Sequence, residues 1–183
     1  MISYYLLSVF SLILMSITSY TDLKKREISN YAVLAGIVFG LVYWTVLNQL
    51  PGLGYSVLGG ITGFTIFFLL ALLGNIGFGD VKLVAAMGFL LSWPLVLTAI
   101  FHVVISGFFL ALIWVGISGN LLRTFKNLWI LVYTWLRPGK KRVSLDKLET
   151  SSLPYGLAIA AGTWWTLAAQ KWPQFDLMQW FLH

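Results

Sequence analysis

The sequence predicts an all-α, polytopic membrane protein: six transmembrane helices with an amphipathic cytoplasmic segment between the fifth and sixth. Three observations carry that prediction. Of the 183 residues, 59% are apolar and only 10% are charged, less than half the charge of a typical soluble domain. The apolar residues fall into runs near the roughly 20 residues a spanning helix needs. The basic residues gather at the ends of those runs. A net charge of +6 could suit nucleic acid, but this distribution is that of membrane topology, so no nucleic-acid partner is expected. The chain has no cysteine, which excludes a disulfide framework and a cysteine-bearing zinc site.

The first span is expected over about 4–21. It lacks a basic leader region and a small-residue cleavage site, so it reads as a retained helix rather than a signal peptide. Ser16, Thr18, Ser19 and Thr21 make its last turns polar and lead into Asp22. Lys24, Lys25, Arg26 and Glu27 then form a short solvated turn. The second span is expected over about 30–47, closed by Asn48-Gln49-Leu50-Pro51-Gly52, and the third over 53–73. Gly36/Gly40 and Gly59/Gly63 are small-xxx-small pairs, which let helix backbones approach closely. From Leu83 to Leu122 there are 40 residues without Asp, Glu, Lys or Arg, too many for one span. Ser92-Trp93-Pro94 is the natural break, because proline disfavours helix in the residue before it. A short fourth helix over 80–92 and a fifth over 94–118 follow. The short fourth helix implies that its carboxylate end is recessed into protein or a watery notch.

Residues 120–152 change character and hold seven basic residues. Leu121, Phe125, Leu128, Val132 and Leu136 recur at helical spacing, so 121–136 reads as an amphipathic helix on the membrane surface. The last span is expected over 153–170. The whole chain, 1–183, is thus one membrane-embedded domain. Six spans put the turn after helix 1, the turn before helix 4 and the 120–152 segment on one face. That face carries eleven of the twelve basic residues, Lys171 being the exception. The positive-inside rule makes it cytoplasmic and leaves both termini on the other side.

Asp22 and Asp80 therefore fall on the same side at similar depth. Ionisable residues at a membrane edge facing a bundle interior are functional candidates by default. The plain alternative for Asp22 is a solvated carboxylate in a charged turn. Asp80 follows Gly77-Phe78-Gly79, where a soluble loop would place polar residues. Glycine permits positive φ and close backbone approach, which would let an unwound segment lie beside Asp80. Two carboxylates in one low-dielectric site share a proton and titrate as a unit. Such a pair can hold a water, deprotonate it with one member and hydrogen-bond a scissile carbonyl with the other. That chemistry needs neither metal nor cofactor. Lys82 reads either as a snorkelling lysine or as a charge that tunes Asp80 or meets an acidic substrate group. His102 reads as a packed or hydrogen-bonded residue, and His183 is terminal.

These residues resemble a known family. Thr21-Asp22 followed by Ile28 and Asn30 is similar to the first-aspartate motif of the type IV prepilin peptidases. Gly77-Phe78-Gly79-Asp80-Val81-Lys82-Leu83 is similar to their G-x-G-D-x-K-L motif. Leu153-Pro154-Tyr155-Gly156-Leu157-Ala158 is similar to their P-F-G-P-x-L-A segment. Ser29 and Leu157 depart, standing where prolines are common in the family. The resemblance implies a polytopic aspartic endopeptidase of the cytoplasmic membrane. Such an enzyme removes the short basic leader of prepilins and related pilin-like precursors at the cytoplasmic face. It implies Asp22 and Asp80 as the catalytic pair, with Gly77, Phe78 and Gly79 shaping the site and Pro154 and Gly156 beside it. Asn30, like Lys82, becomes a candidate substrate or electrostatic contact. Many members carry paired CxxC motifs associated with N-methylation of the new terminus. This cysteine-free chain resembles the short peptidase-only forms found with Flp/Tad-type pili and the archaeal preflagellin peptidases, so methyltransferase activity is not expected.

Other readings use the same residues differently. A proton- or ion-coupled transporter could use both carboxylates, but carriers place them midway across the membrane and show internal repeats. Gly116-Ile117-Ser118-Gly119 matches the G-x-S-G pattern of rhomboid-type serine proteases, yet the only later histidine is His183. There is no H-E-x-x-H for a zinc protease. Both aspartates being present argues against an inactive assembly factor.

Overall fold

A computed structural model describes residues 2–73, 76–117 and 155–172, and all regular structure among them is helical. The helices are α1 (Ile2–Lys25), α2 (Asn30–Leu73), α3 (Phe78–Leu91), α4 (Leu95–Ile117) and α5 (Tyr155–Lys171). The chain divides into two compact units, residues 1–107 with 154–183, and residues 108–153. The first contains α1, α2, α3, α5 and the start of α4. Of the second, the described part is the end of α4. The predicted surface helix at 121–136, the rest of segment 120–152, Pro154, Ser118 and His183 lie outside the described residues.

Among the described residues three helices are long and apolar enough to cross a membrane: Tyr4–Lys25, Asn30–Leu72 and Leu95–Ile113. Their polarity is arranged for lipid. On α1 the exposed stripe is Leu6, Val9, Ile13, Ile17 and Tyr20, while Ser11, Thr18 and Ser19 are buried on the other face. The Thr18 hydroxyl is satisfied by the Leu14 and Met15 carbonyls, as a polar group out of reach of water must be. With such long apolar stripes facing outward, this is a membrane protein.

The second and third predicted spans are one interrupted helix. α2 runs 44 residues, with Asn48 (φ −128°) and Gln49 (φ 54°) leaving helical geometry between its halves. The chain folds back there. Trp44, before the break, donates from Nε1 to the Leu90 carbonyl at 2.9 Å. Ser56, after it, donates to the Phe89 carbonyl at 2.8 Å. Farther from the break, Gly36 faces Ala86 and Gly63 faces Val84. The two halves therefore lie antiparallel along α3. The break at 48–49 falls within the predicted closure Asn48-Gln49-Leu50-Pro51-Gly52, and Pro51 sits in the first turn of the second half, where a proline gives up only a free N–H.

α3 is the centre of the unit, with ten of its 14 residues buried. At 1.5 Å per residue it is about 21 Å long, short of the roughly 30 Å hydrocarbon core. It ends where the sequence predicts. Ser92 takes φ 63° and its N–H closes on the Gly88 carbonyl at 2.8 Å, while the Trp93 N–H reaches the Tyr55 carbonyl at 3.0 Å. Gly36, Gly40, Gly59 and Gly63 all face α3, so both small-xxx-small pairs are contact surfaces. Gly59 meets Gly88 backbone to backbone, and a Cβ on either would collide with the other's carbonyl. Gly59→Ala is expected to cost about 1–3 kcal/mol through overpacking. Gly54→Ala, with open space around it, should be neutral or stabilise by about 0.5–1 kcal/mol. Reversible unfolding in mixed micelles checks both.

α1 and α5 run antiparallel. The Tyr4 hydroxyl donates to the Leu167 carbonyl at one end, and Ser19 reaches Gly156 at the other. His102 of α4 is fully buried. Its Nδ1 lies 2.9 Å from the Thr166 hydroxyl and its ring stacks on Trp165, in keeping with a packed, hydrogen-bonded histidine.

Candidate active site

Asp22 is not a turn residue. α1 continues through it to Lys25, and the helix closes when the Arg26 N–H bonds the Asp22 carbonyl at 2.8 Å. Arg26 takes φ 52° there, the left-handed closure common at helix C-termini. The chain from Arg26 to Ser29 then crosses to α2, and Ile28 packs against the backbone of Gly79. Asn30, at the start of α2, accepts from the Lys82 ammonium at 3.4 Å. The turn after α1 is thus attached to the first turn of α3.

Asp80 lies in that first turn, third residue of the helix, and is 8% exposed. The predicted unwound glycine loop is corrected here. Phe78, Gly79 and Asp80 are already helical, with Gly77 as N-cap. Gly77 has φ −69° and ψ 143°, extended backbone that any residue adopts, so positive φ is not why glycine stands there. The reason is space: a Cβ on Gly77 would sit 3.3 Å from Asp80 Oδ2. A Cβ on Gly79 would make ordinary contacts with Ile28 at 3.5 Å. An acidic residue in a first turn also suits the positive end of the helix dipole.

The third component is the N-terminus of α5. The Gly156 N–H, one of the free donors of a helix start, donates to Asp22 Oδ2 at 2.8 Å. The Ser19 hydroxyl donates to the Gly156 carbonyl at 3.1 Å. Ser19 and Asp22, three apart on one face of α1, hold that residue from both sides. A Cβ at 156 would lie 2.6 Å from Asp22 Oδ2 and 3.0 Å from Asp22 Cβ and Cγ. Asp22 is close enough for its charge to bear directly on the Asp80 carboxyl. Among the described residues no group of three or more His, Cys, Asp or Glu assembles.

The structure thus brings together Asp22, Asp80, Gly77, Gly79 and Gly156. Lys82 and Asn30 meet each other, but Lys82 is two residues, about 200° around α3, from Asp80. Phe78 is on that same outer side, 64% exposed, with its ring 6.3 Å from Phe68. Ser19 belongs to no motif of the sequence, although its spacing of three to Asp22 is legible there. Ser19→Ala is expected to speed hydrogen exchange of the Gly156 amide and to cost about 1 kcal/mol. Ser19→Thr should retain most of the protection. Exchange measured on the purified protein decides it.

Compared with known proteins, residues 9–116 match the type IV leader peptidase family, a stretch that includes both aspartates. A preflagellin peptidase from Methanocaldococcus jannaschii is 38% identical over 79 residues, covering 41% of this chain and 33% of that protein. The match thus spans about a third of that relative's length. No solved structure gives a significant match.

Proposed function

The chain belongs to the type IV leader peptidase family, and on that premise we propose that it is a membrane aspartic endopeptidase. Its substrates are prepilins, preflagellins or related pilin-like precursors, from which it removes the short basic leader at the cytoplasmic face of the inner membrane. What supports this reading is that Asp22 and Asp80, on two different helices at one end of an apolar bundle, lie near enough for the charge of one to bear on the other, with Asp22 fixed by the Gly156 N–H. The ionised carboxylate takes a proton from a water held between the two. The water oxygen bonds to the scissile carbonyl carbon while the protonated partner hydrogen-bonds the carbonyl oxygen. Collapse breaks the C–N bond, and the leaving amine receives a proton. Gly156 holds Asp22 in place, and Gly77 leaves room for Asp80. The two halves of α2 count as two crossings, giving six with α1, α3, α4 and α5. Lys24, Lys25, Arg26 and Lys82 then mark the cytoplasmic end. We read the chain as a peptidase without N-methyltransferase activity.

Co-expression with candidate prepilin and preflagellin precursors tests the proposal. Conversion of a precursor to a shorter product with a new terminus just before its hydrophobic helix is the expected result. Proton flux in proteoliposomes that depends on Asp80, with no precursor cut, would establish the carrier reading instead. Against that reading, both carboxylates lie at one end of their helices rather than midway.

A further inference from the structure

α3 has two faces with different neighbours. Asp80, Val84, Met87 and Leu91, spaced by four, three and four, are buried in the unit. Phe78, Lys82, Ala85 and Phe89 repeat the same spacing on the opposite side. The antiparallel halves of α2 flank that outer face and leave an apolar groove of about 340 Å³. Its walls are Val33 and Ile37 from one half and Ile61 and Phe64 from the other, with Ala85 and Phe89 as floor. Phe64 stacks on Phe68, which borders Phe78. Among the described residues Lys82 is the one charged side chain lining the groove.

Lys82 is exposed, and its hydrogen bond to Asn30 is long, 3.4 Å, and uses one of three N–H donors. It stands at the same end of the bundle as Lys24, Lys25 and Arg26. From Lys82 to Phe89 the groove extends about 10 Å along the helix, and every other lining residue among those described is apolar. A cation at the head of an apolar channel complements one chemistry in a bilayer, a phosphate headgroup with an acyl chain below it. A substrate helix suits the groove poorly, because α3 itself would separate it from Asp80.

We infer that the α2–α3 groove is a binding site for an anionic phospholipid, with the phosphate on Lys82 and an acyl chain between the halves of α2. The headgroup then also abuts Asn30 and the turn whose Ile28 packs on Gly79. Occupancy therefore steadies the end of α3 that bears Asp80.

The test is lipid retention by the purified full chain, reconstituted in phosphatidylglycerol or phosphatidylcholine vesicles of matched acyl chains. The protein is extracted, delipidated in steps and read by native mass spectrometry and thermal melting. The wild type is expected to hold one phosphatidylglycerol after phosphatidylcholine is lost, and to melt higher with it. Lys82→Gln should reduce the preference about fivefold. Ile61→Trp, which fills the groove from its exposed rim, should abolish retention of both lipids while the protein stays folded. Equal retention of the two lipids by the wild type overturns the site, as does an undiminished preference in Lys82→Gln. Dimers cross-linked through position 61 in either lipid would assign the groove to a second copy instead. Retention is read without substrate, so its failure leaves the cleavage assay untouched.

Discussion

Asp80→Asn and Asp22→Asn are each expected to lower precursor cleavage at least about 10³-fold, at the upper part of the range for loss of a general acid or base. Asparagine keeps the shape of the side chain but cannot share a proton with its partner. The double variant should be no worse than either single one, because residues that act as a unit are not additive. The fold provides an independent readout. Asp80 is nearly buried with another carboxylate nearby and no cation among its described partners. A merely structural carboxylate would destabilise the protein when replaced. Here Asp80→Asn relieves a desolvated charge, so the melting temperature should hold or rise by about 2–4 °C per kcal/mol gained. Cleavage by either single variant above a tenth of the wild-type rate would sink the dyad.

Much of this arrangement is legible in the chain because helices translate sequence into depth. The run lengths place the ends of α1 and α3, and alternation of sides then puts Asp22 and Asp80 at the same end. Ser92-Trp93-Pro94 likewise announces a break by its own local chemistry. What the sequence does not convey is the angular relation between helices. Nothing local says that Lys82 faces the α2 groove while Asp80 faces the bundle, although the two are separated by a single residue. The glycines show the same limit. Gly77 invites an argument from backbone freedom, yet its backbone is ordinary and its value is the space left for a carboxylate three residues on. Gly88, the partner that interlocks with Gly59, is matched at i+4 only by Ser92, which the sequence presents as the end of the helix. These features are set by what the neighbouring backbone presents, which is long-range information.

Gly156→Ala follows from that kind of contact and should produce the second large effect. Within α5 alone the change is favourable, since alanine exceeds glycine as a helix former by about 1 kcal/mol. The new methyl group, however, would sit 2.6 Å from Asp22 Oδ2 and 3.0 Å from Asp22 Cβ and Cγ. α5 is held to α1 at its far end by Tyr4 and Leu167 and to α4 by His102 and Thr166. The aspartate side chain is the softer element and should swing away, losing the Gly156 N–H and its relation to Asp80. Misplacing a reacting group by about 1 Å can cost about 10²-fold in rate, so a loss of that size is expected. Stability should change by less than the roughly 1–3 kcal/mol of a core clash, because the strain is released into the site. Gly54→Ala, whose Cβ would meet nothing within 4 Å, is the control and should stay within about twofold of the wild type, as an unstrained surface change of ±0.5 kcal/mol would. If Gly156→Ala cleaves normally, Asp22 does not depend on the start of α5. If it instead melts far below the wild type with cleavage lost in proportion, the glycine serves helix packing and not the placement of the carboxylate.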